Sequence, residues 1–243
     1  MDYLLLLSTI VLGVCAVFLF RLNEPRHVKL LNAFTGAYLL CLTILHLLPE
    51  LYHGHGGHGA PSGDEAVMHL GIIMLAGFFT QLALDTISMG VEHGHTHAVH
   101  GRLPIGVVLG LCLHALAEAT ALGNPETHYD PASRRLLLWS IVLHNFPVSI
   151  ALLGMLLQSG MKRNAWIGIM ILFASMGPIG MTLSAHTPLE AYSRELTAFV
   201  IGIFMHISTT ILFESSEIHR FNFGKLAAIV VGTGLAFLSL LIH

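Results

Sequence analysis

Charged side chains are scarce in this chain of 243 residues. Asp, Glu, Lys and Arg together make up 10% of it, hydrophobic residues make up 54%, and the mean hydropathy is +0.75. A soluble domain of similar size carries about 25% charged residues. The composition therefore excludes an ordinary soluble domain and predicts an integral membrane protein.

Cysteine is also rare. Cys15, Cys41 and Cys112 each lie inside an apolar run, and their spacing shows no paired pattern. This indicates small buried hydrophobic residues rather than disulfides or thiolate metal ligands. A Gly-x-x-x-x-Gly-Lys-Ser/Thr stretch is missing from the sequence, so nothing in it predicts the use of ATP.

Long apolar segments are abundant, and eight of them reach or approach the about 20 residues that a helix needs to cross a bilayer. They cover residues 3–20, 28–51, 67–91, 103–123, 136–158, 165–185, 196–214 and 225–242. Because the connections are short, we expect an all-α fold of eight transmembrane helices forming a single polytopic domain over 1–243. The first segment has no positive residue ahead of it and no cleavage site after it, so we interpret it as a retained span.

Positive residues are unevenly distributed between the two sets of loops. Those after spans one, three, five and seven contain Arg21, Arg26, Lys29, Arg102, Lys162, Arg163, Arg220 and Lys225. The opposite loops contain only Arg134, Arg135 and Arg194. The positive-inside rule then predicts that both termini lie outside the cytoplasm.

Two spans carry polar side chains near their centres. His114 and Glu118 in span four stand at i and i+4, so they project from one face of the helix. In span five His144 stands beside Asn145, and Pro147 after them leaves backbone carbonyls without helical donors. An ionisable residue at mid-membrane is costly and predicts a functional site. Two imidazoles, a carboxylate and an amide suit a zinc-like divalent cation.

The depths of these residues agree. Span four runs outward from about Leu103, and a rise of about 1.5 Å per residue puts His114 about 16 Å from the inner surface. Span five runs inward from about Leu136, which puts His144 about 12 Å below the outer surface. In a hydrocarbon core of about 30 Å the two histidines are nearly level. Pro178 predicts a break in span six at a similar depth, a feature with which many transporters build an ion site.

Other polar residues are weaker candidates for metal ligands. His206 lies at mid-depth in span seven, and His46 and Glu50 lie near the outer end of span two. A lone membrane histidine is more often a hydrogen-bonding group between helices than a ligand. Asp85 in span three has three open readings: a ligand, a partner for Ser88, or a carboxylate that reaches the inner interface.

Two loops are rich in histidine, which predicts transient metal capture on both faces of the membrane. The outer loop contains His53, His55 and His58, and the inner loop contains His93, His95, His97 and His100.

These features together resemble the ZIP family of divalent-metal transporters. The resemblance covers nearly the whole chain. It is carried by His46-Leu47-Leu48-Pro49-Glu50, Glu92-His93-Gly94-His95-Thr96-His97, His114 with Glu118, His144-Asn145-Phe146-Pro147, and Gly177-Pro178-Ile179-Gly180. It implies zinc import in which spans one, four, five and six move as a transport bundle against a scaffold of spans two, three, seven and eight. It also implies a homodimer formed through the scaffold.

Three positions depart from the pattern of the family. Ala115 stands where ZIP proteins usually have Asn, Val148 where they usually have Glu, and Gly177 where they often have a carboxylate. The missing groups are those expected to build a second, bridged metal position. We therefore expect one transport site, made by His114, Glu118, His144 and Asn145, rather than a binuclear one.

Rival interpretations remain open at this point. The same ligands could serve a metal receptor or sensor that does not transport, or an intramembrane zinc hydrolase, although the sequence has no His-Glu-x-x-His and no evident general base. A haem-binding electron carrier is a remote alternative. We expect a transporter rather than an enzyme, with zinc or another divalent transition metal as substrate. We expect no organic cofactor and no nucleic-acid partner, and location in a plasma membrane, bacterial inner membrane in the first place.

Overall fold

The computed structural model describes residues 1–20, 24–53, 64–88, 105–123, 131–214 and 223–241. Within these ranges the chain is helical and contains no strand, which confirms the all-α prediction. The helices are α1 (Asp2–Phe20), α2 (Pro25–Leu42), α3 (Leu48–His53), α4 (Asp64–Ser88), α5 (Ile105–Thr120), α6 (Pro131–Gln158), α7 (Arg163–Ala185), α8 (Ser193–Glu214) and α9 (Phe223–Leu241). A π-helical turn (Thr43–Leu47) joins α2 to α3, and a 3₁₀ turn (Pro188–Tyr192) precedes α8.

Proline and glycine mark several helix boundaries. Pro25 and Pro131 are the first residues of α2 and α6, where the missing N–H would have no helical acceptor. Gly160, two residues after α6, has a φ of 71°, a left-handed conformation that commonly ends a helix and favours glycine. These local signals explain why the helices begin and end close to the predicted apolar segments.

In the described part of the chain, seven helical stretches are long and apolar enough to cross a membrane. They include the continuous span Arg26–Tyr52, which runs from α2 through the π-helical turn into α3. The predicted fourth span corresponds to α5, which is apolar but has 16 residues. It ends at Thr120 rather than at 123, and the predicted residues 103 and 104 lie outside the described ranges.

One group of helices consists of α2 with α3, α4, α8 and α9. Its largest interfaces are α4 with α8 and α2 with α9. Where α4 crosses α8, a Cβ added at Gly77 would overlap the carbonyl oxygen of Phe199, and one added at Gly202 would overlap that of Met74. At Gly232 of α9 a Cβ would overlap the backbone of α2. Glycine therefore lets the backbones in this group touch, which is typical of tight helix packing in membranes.

The second group consists of α1, α5, α6 and α7, with its largest interfaces between α5 and α7 and between α1 and α6. A Cβ at Gly180 of α7 would lie 2.6 Å from the carbonyl oxygen of Leu116 in α5. A Cβ at Gly13 of α1 would overlap the hydroxyl of Ser149 in α6. The two groups meet mainly where α4 faces α5 and where α2 faces α6.

Each group has an arginine that fastens its own helices. Arg134 of α6 donates from Nη1 to Asp2 of α1 at 2.7 Å and from Nε to the carbonyl oxygen of Leu122 at 3.1 Å. Arg194 of α8 donates from Nε and Nη2 to the carbonyl oxygen of Leu51 in α3, at 3.2 and 2.9 Å. Two of the three positive residues predicted on the outer side thus have structural partners.

Candidate metal site

The site is built from one face of α5 and the middle of α6. One ligand atom from each of His114, Glu118 and His144 can be chosen so that all three lie within 4.8 Å of one another. His114 Nε2 is 3.1 Å from Glu118 Oε1, and the two imidazole rings meet edge to face with their centroids 5.5 Å apart. The side chains are 0%, 0% and 1% exposed. The structure therefore brings together three of the four predicted ligands in a buried position.

Helix geometry and packing hold these residues in place. His114 and Glu118 face the same way because they are one turn apart on α5. That helix rests on α7 at Leu116, directly between the two ligands in sequence, where Gly180 lets the backbones approach. In α6, Pro147 has no N–H, so it cannot donate to the carbonyl of Leu143, one residue before His144.

Asn145, the fourth predicted ligand, is 6% exposed. Its Oδ1 atom has no hydrogen-bond partner among the residues that the structure describes, and the same is true of Oε2 of Glu118. A buried oxygen without a donor costs about 1–3 kcal/mol, more if it is charged. A cation bound by Glu118 would satisfy its carboxylate oxygen, and Asn145 is placed beside the site by its position next to His144 in α6.

The donor set determines what the site can bind. Two imidazoles and one carboxylate form a three-ligand zinc set that leaves a coordination position for water or for another oxygen. Iron, manganese, cobalt and cadmium accept the same ligands to overlapping degrees. A carboxylate in so buried a position also favours a cation over any neutral or anionic ligand.

Gln81 of α4 is a buried residue of the site that we did not predict from the sequence. It is 0% exposed, and its Oε1 atom lies 2.7 Å from Nδ1 of His114. The available signal was a glutamine in the interior of a membrane span, which is costly unless its amide is hydrogen-bonded. Its partner is 33 positions away, so the pairing could not be read from the local sequence.

His206, a weaker candidate, belongs to another part of the structure. Its Nε2 atom is 3.8 Å from Oδ2 of Asp85, and its ring packs edge to face on Phe78 with centroids 5.0 Å apart. These contacts join α8 to α4, and His206 is not in the group formed by the three ligands. Asp85 therefore faces a histidine, a contact that none of its three sequence readings included.

The remaining candidates lie near or beyond the ends of the described helices. His46 is in the π-helical turn and Glu50 is in α3, both partly exposed. His53 is the last residue of α3. The predictions for the other loop histidines concern residues outside the described ranges: His55, His58, His93, His95, His97 and His100.

Comparison with known proteins decides the family. The sequence model of the ZIP zinc transporter family matches residues 92–241, more than half of the chain and the part that holds the three ligands. The chain belongs to the ZIP family. The resemblance found in the sequence motifs is thereby confirmed.

Several vertebrate ZIP transporters are similar to this chain. Zinc transporter ZIP9 of Micropogonias undulatus is 25% identical over 220 residues, which cover 72% of this chain and 71% of that protein. Zinc transporter ZIP1 of Mus musculus is 25% identical over 263 residues, covering 84% and 78%. Zinc transporter ZIP9-A of Xenopus laevis is 24% identical over 180 residues, and this chain spans 59% of its length.

The membrane-length helices and the match to the ZIP family show that this is a multi-pass membrane protein of a metal-transporting family. The relatives are transporters by name, which agrees with the expectation of a transporter rather than an enzyme. They are eukaryotic, so a bacterial inner membrane receives no support from them.

The three departures from the ZIP pattern occupy packed positions. Ala115 and Val148, 3% and 1% exposed, belong to an apolar cluster in which α1, α5, α6 and α7 pack together with the start of α2. Gly177 of α7 faces Leu6 of α1, and an added Cβ would lie 3.2 Å from Cδ1 of that leucine. Apolar packing therefore fills the places where further ligands would be expected.

Proposed function

We propose that this ZIP protein carries a divalent transition-metal cation, zinc in the first place, across the membrane through a site made by His114, Glu118, His144 and Asn145. The observation that carries the proposal is the buried group of His114, Glu118 and His144, which comes from two helices and has ligand atoms within 4.8 Å of one another. Burying an uncompensated carboxylate costs several kcal/mol, so such a group is retained where a cation compensates it. The names of the relatives make zinc the first substrate to test.

Movement of one group of helices against the other would expose the site alternately to the two sides. The glycine contacts described above tie α5 to α7 and α1 to α6 in one group, and α4 to α8 in the other. All the proposed ligands belong to the group of α1, α5, α6 and α7. Rigid-body rocking of one bundle against another around a midplane site is a known form of alternating access.

We also propose that the site holds a single ion. The positions of Ala115 and Val148 contribute methyl groups to a buried apolar cluster, and Gly177 has Leu6 against it. Two divalent cations would bring four positive charges to a site with one carboxylate, Glu118. Import into the cytoplasm and a homodimer through α2, α4, α8 and α9 remain predictions from the family resemblance.

Zinc uptake by the purified protein in liposomes tests the transport proposal. We expect saturable uptake by the wild type and its loss in the His114→Ala, His144→Ala double variant. The matched control replaces two exposed histidines, His69 and His186, by alanine and should leave uptake unchanged. If the wild type binds zinc but moves none of it, a metal receptor is the better reading, and the transport proposal is wrong.

Equilibrium titration tests the single ion. We subtract the zinc bound by the same double variant from the zinc bound by the wild type. This difference excludes zinc bound by the loop histidines, which both proteins contain. We expect this difference to be one ion per chain. A difference of two coupled ions would contradict the proposal.

A further inference from the structure

Gln81 contacts the proposed metal site, so the role given to it rests on the proposed transport function. Gln81 lies on α4, in the helix group that contributes none of the proposed ligands, and its side chain is fully buried. Its Oε1 atom is 2.7 Å from Nδ1 of His114 on α5, which is a short hydrogen-bond distance. The contact therefore links a metal ligand to the opposite helix group.

The chemistry of the two partners sets the direction of this hydrogen bond. An amide oxygen only accepts, so Nδ1 of His114 carries the proton in this contact, and in the neutral imidazole the lone pair is then on Nε2. Nε2 faces Glu118 Oε1 at 3.1 Å, so in that neutral form the two facing atoms are both acceptors. A cation between them removes this repulsion. Gln81 thus leaves His114 and Glu118 in the form that binds a metal.

Glycine contacts fasten each end of this link to its own group. Gly77 is one turn before Gln81, and its close contact with Phe199 holds that part of α4 on α8. Leu116 is two residues after His114, and its contact with Gly180 holds that part of α5 on α7. A displacement of α5 along α4 by one helical turn, about 5.4 Å, would separate the two hydrogen-bonding atoms.

We propose that Gln81 is a positioning residue that sets the tautomer and orientation of His114 for metal binding, and does so only in the state in which α5 lies against α4 as seen here. Ligating histidines usually donate their second ring N–H to an acceptor, and loss of that acceptor typically lowers metal affinity about 10–100-fold. In this protein the acceptor belongs to the other helix group. The affinity of the site therefore falls when the groups move apart, which favours release on the other side.

Zinc binding and uptake by Gln81→Leu test this in the full-length protein. The substitution keeps the size of the side chain and removes the acceptor, so we expect the affinity for zinc to fall about 10–100-fold. The KM for uptake should rise in proportion. The maximal rate should not fall, because no hydrogen bond between the groups then has to break.

Two further variants distinguish the loss of the hydrogen-bond acceptor from a general effect on folding. Gln81→Glu keeps an oxygen in the same place and should restore the affinity to within a few-fold of the wild type. Thr80→Val, on the adjacent exposed position of α4, should change neither binding nor uptake. If Gln81→Glu binds zinc nearly as tightly as the wild type, the weak binding of Gln81→Leu is due to the missing acceptor and not to a general folding defect. A buried carboxylate is less well tolerated than an amide, so Gln81→Glu would show such a defect at least as strongly.

Nitrogen-15 NMR of histidine-labelled protein without metal gives an independent readout. The signals of the His114 ring are those that disappear in His114→Ala. We expect them to show a proton on Nδ1 in the wild type and a change of tautomer in Gln81→Leu. A proton on Nε2 in the wild type would mean that the amide donates to Nδ1, and it would overturn the proposal. An unchanged affinity in Gln81→Leu would overturn it as well.

The outcome for Gln81 can be separated from that for the proposed function. If the wild type transports zinc through His114 and His144 and Gln81→Leu behaves identically, only the role of Gln81 is wrong. If the wild type neither binds nor transports zinc, the proposed function is wrong and the inference falls with it.

Discussion

At the scale of single residues, Glu118 is a fully buried carboxylic acid, which is costly to bury if it is charged. It is 0% exposed, and its Oε2 atom has no hydrogen-bond donor among the described residues. The nearby His114 Nε2, at 3.1 Å, compensates its charge only if a proton or a metal lies between them. The ligands are therefore arranged to be completed by a cation.

Replacing Glu118 by glutamine tests this reading. The substitution keeps the volume of the side chain and removes the only carboxylate of the proposed ligand set. We expect zinc affinity, measured by titration of the purified protein, to fall by more than about 10-fold, since losing a ligand costs at least as much as losing its supporting group. We expect thermal stability without metal to be unchanged or higher, because a buried charge is removed.

Glu65→Gln is the matched control, because it makes the same chemical change at an exposed position in the first turn of α4. It should alter neither affinity nor stability. Equal zinc affinity in Glu118→Gln and the wild type would show that Glu118 is not a ligand.

At the scale of helices, the crossing of α4 and α8 depends on two glycines. Gly77 faces the backbone of α8 and Gly202 faces the backbone of α4, so neither helix can carry a side chain at the point of contact. Close backbone approach is what gives van der Waals contact between helices in a bilayer, where no hydrophobic driving force acts between them. The two glycines are therefore expected to stabilise the group that contains Gln81.

Gly77→Ala should lower the stability of the protein. The added methyl group would meet the carbonyl oxygen of Phe199, a backbone atom that cannot rotate away, so the helices must separate. We expect a loss of about 1–3 kcal/mol, seen as a lower unfolding temperature in detergent. Gly71→Ala on the same helix is the control.

A Cβ at Gly71 meets nothing within 4 Å, so Gly71→Ala should be neutral or slightly stabilising, because alanine favours the helix by up to about 1 kcal/mol. If the two variants unfold at the same temperature, α4 and α8 do not make the close backbone contact at Gly77 that the structure shows.

At the scale of the whole molecule, the distribution of positive charge predicts the orientation. Two of the three positive residues predicted on the outer side have specific partners: Arg134 binds Asp2 and the carbonyl of Leu122, and Arg194 binds the carbonyl of Leu51. An arginine used to fasten helix ends has a structural reason to be where it is, whichever side it faces. The excess on the other side is therefore the better indicator of the cytoplasm.

Single cysteines test the orientation in intact cells. In a variant with Cys15, Cys41 and Cys112 replaced by alanine, a membrane-impermeant maleimide should label cysteine at Asp64 directly, because that exposed helix start is predicted to be outside. Cysteine at Lys162, also exposed, should be labelled only after permeabilisation. The variant without cysteine is the control, and the reverse labelling pattern would contradict the predicted orientation.

The sequence by itself predicted the membrane-spanning helices and most of the candidate ligand set. Long apolar runs determine the helices because backbone groups in a bilayer must be satisfied within the segment. His114 and Glu118 lie together because they are one turn apart, and that spacing is a property of any helix. The similar depth of His144 followed from counting residues along two helices of opposite direction.

Only the tertiary structure decided how the helices are rotated against each other. Lipid tails are as apolar as the protein interior, so the apolar pattern of a span does not reveal which side faces its neighbours. For that reason the sequence did not reveal Gln81 beside His114, and it offered His206 as a weaker ligand candidate without indicating that it faces Asp85. These contacts depend on packing between helices far apart in the chain, where periodicity carries no information.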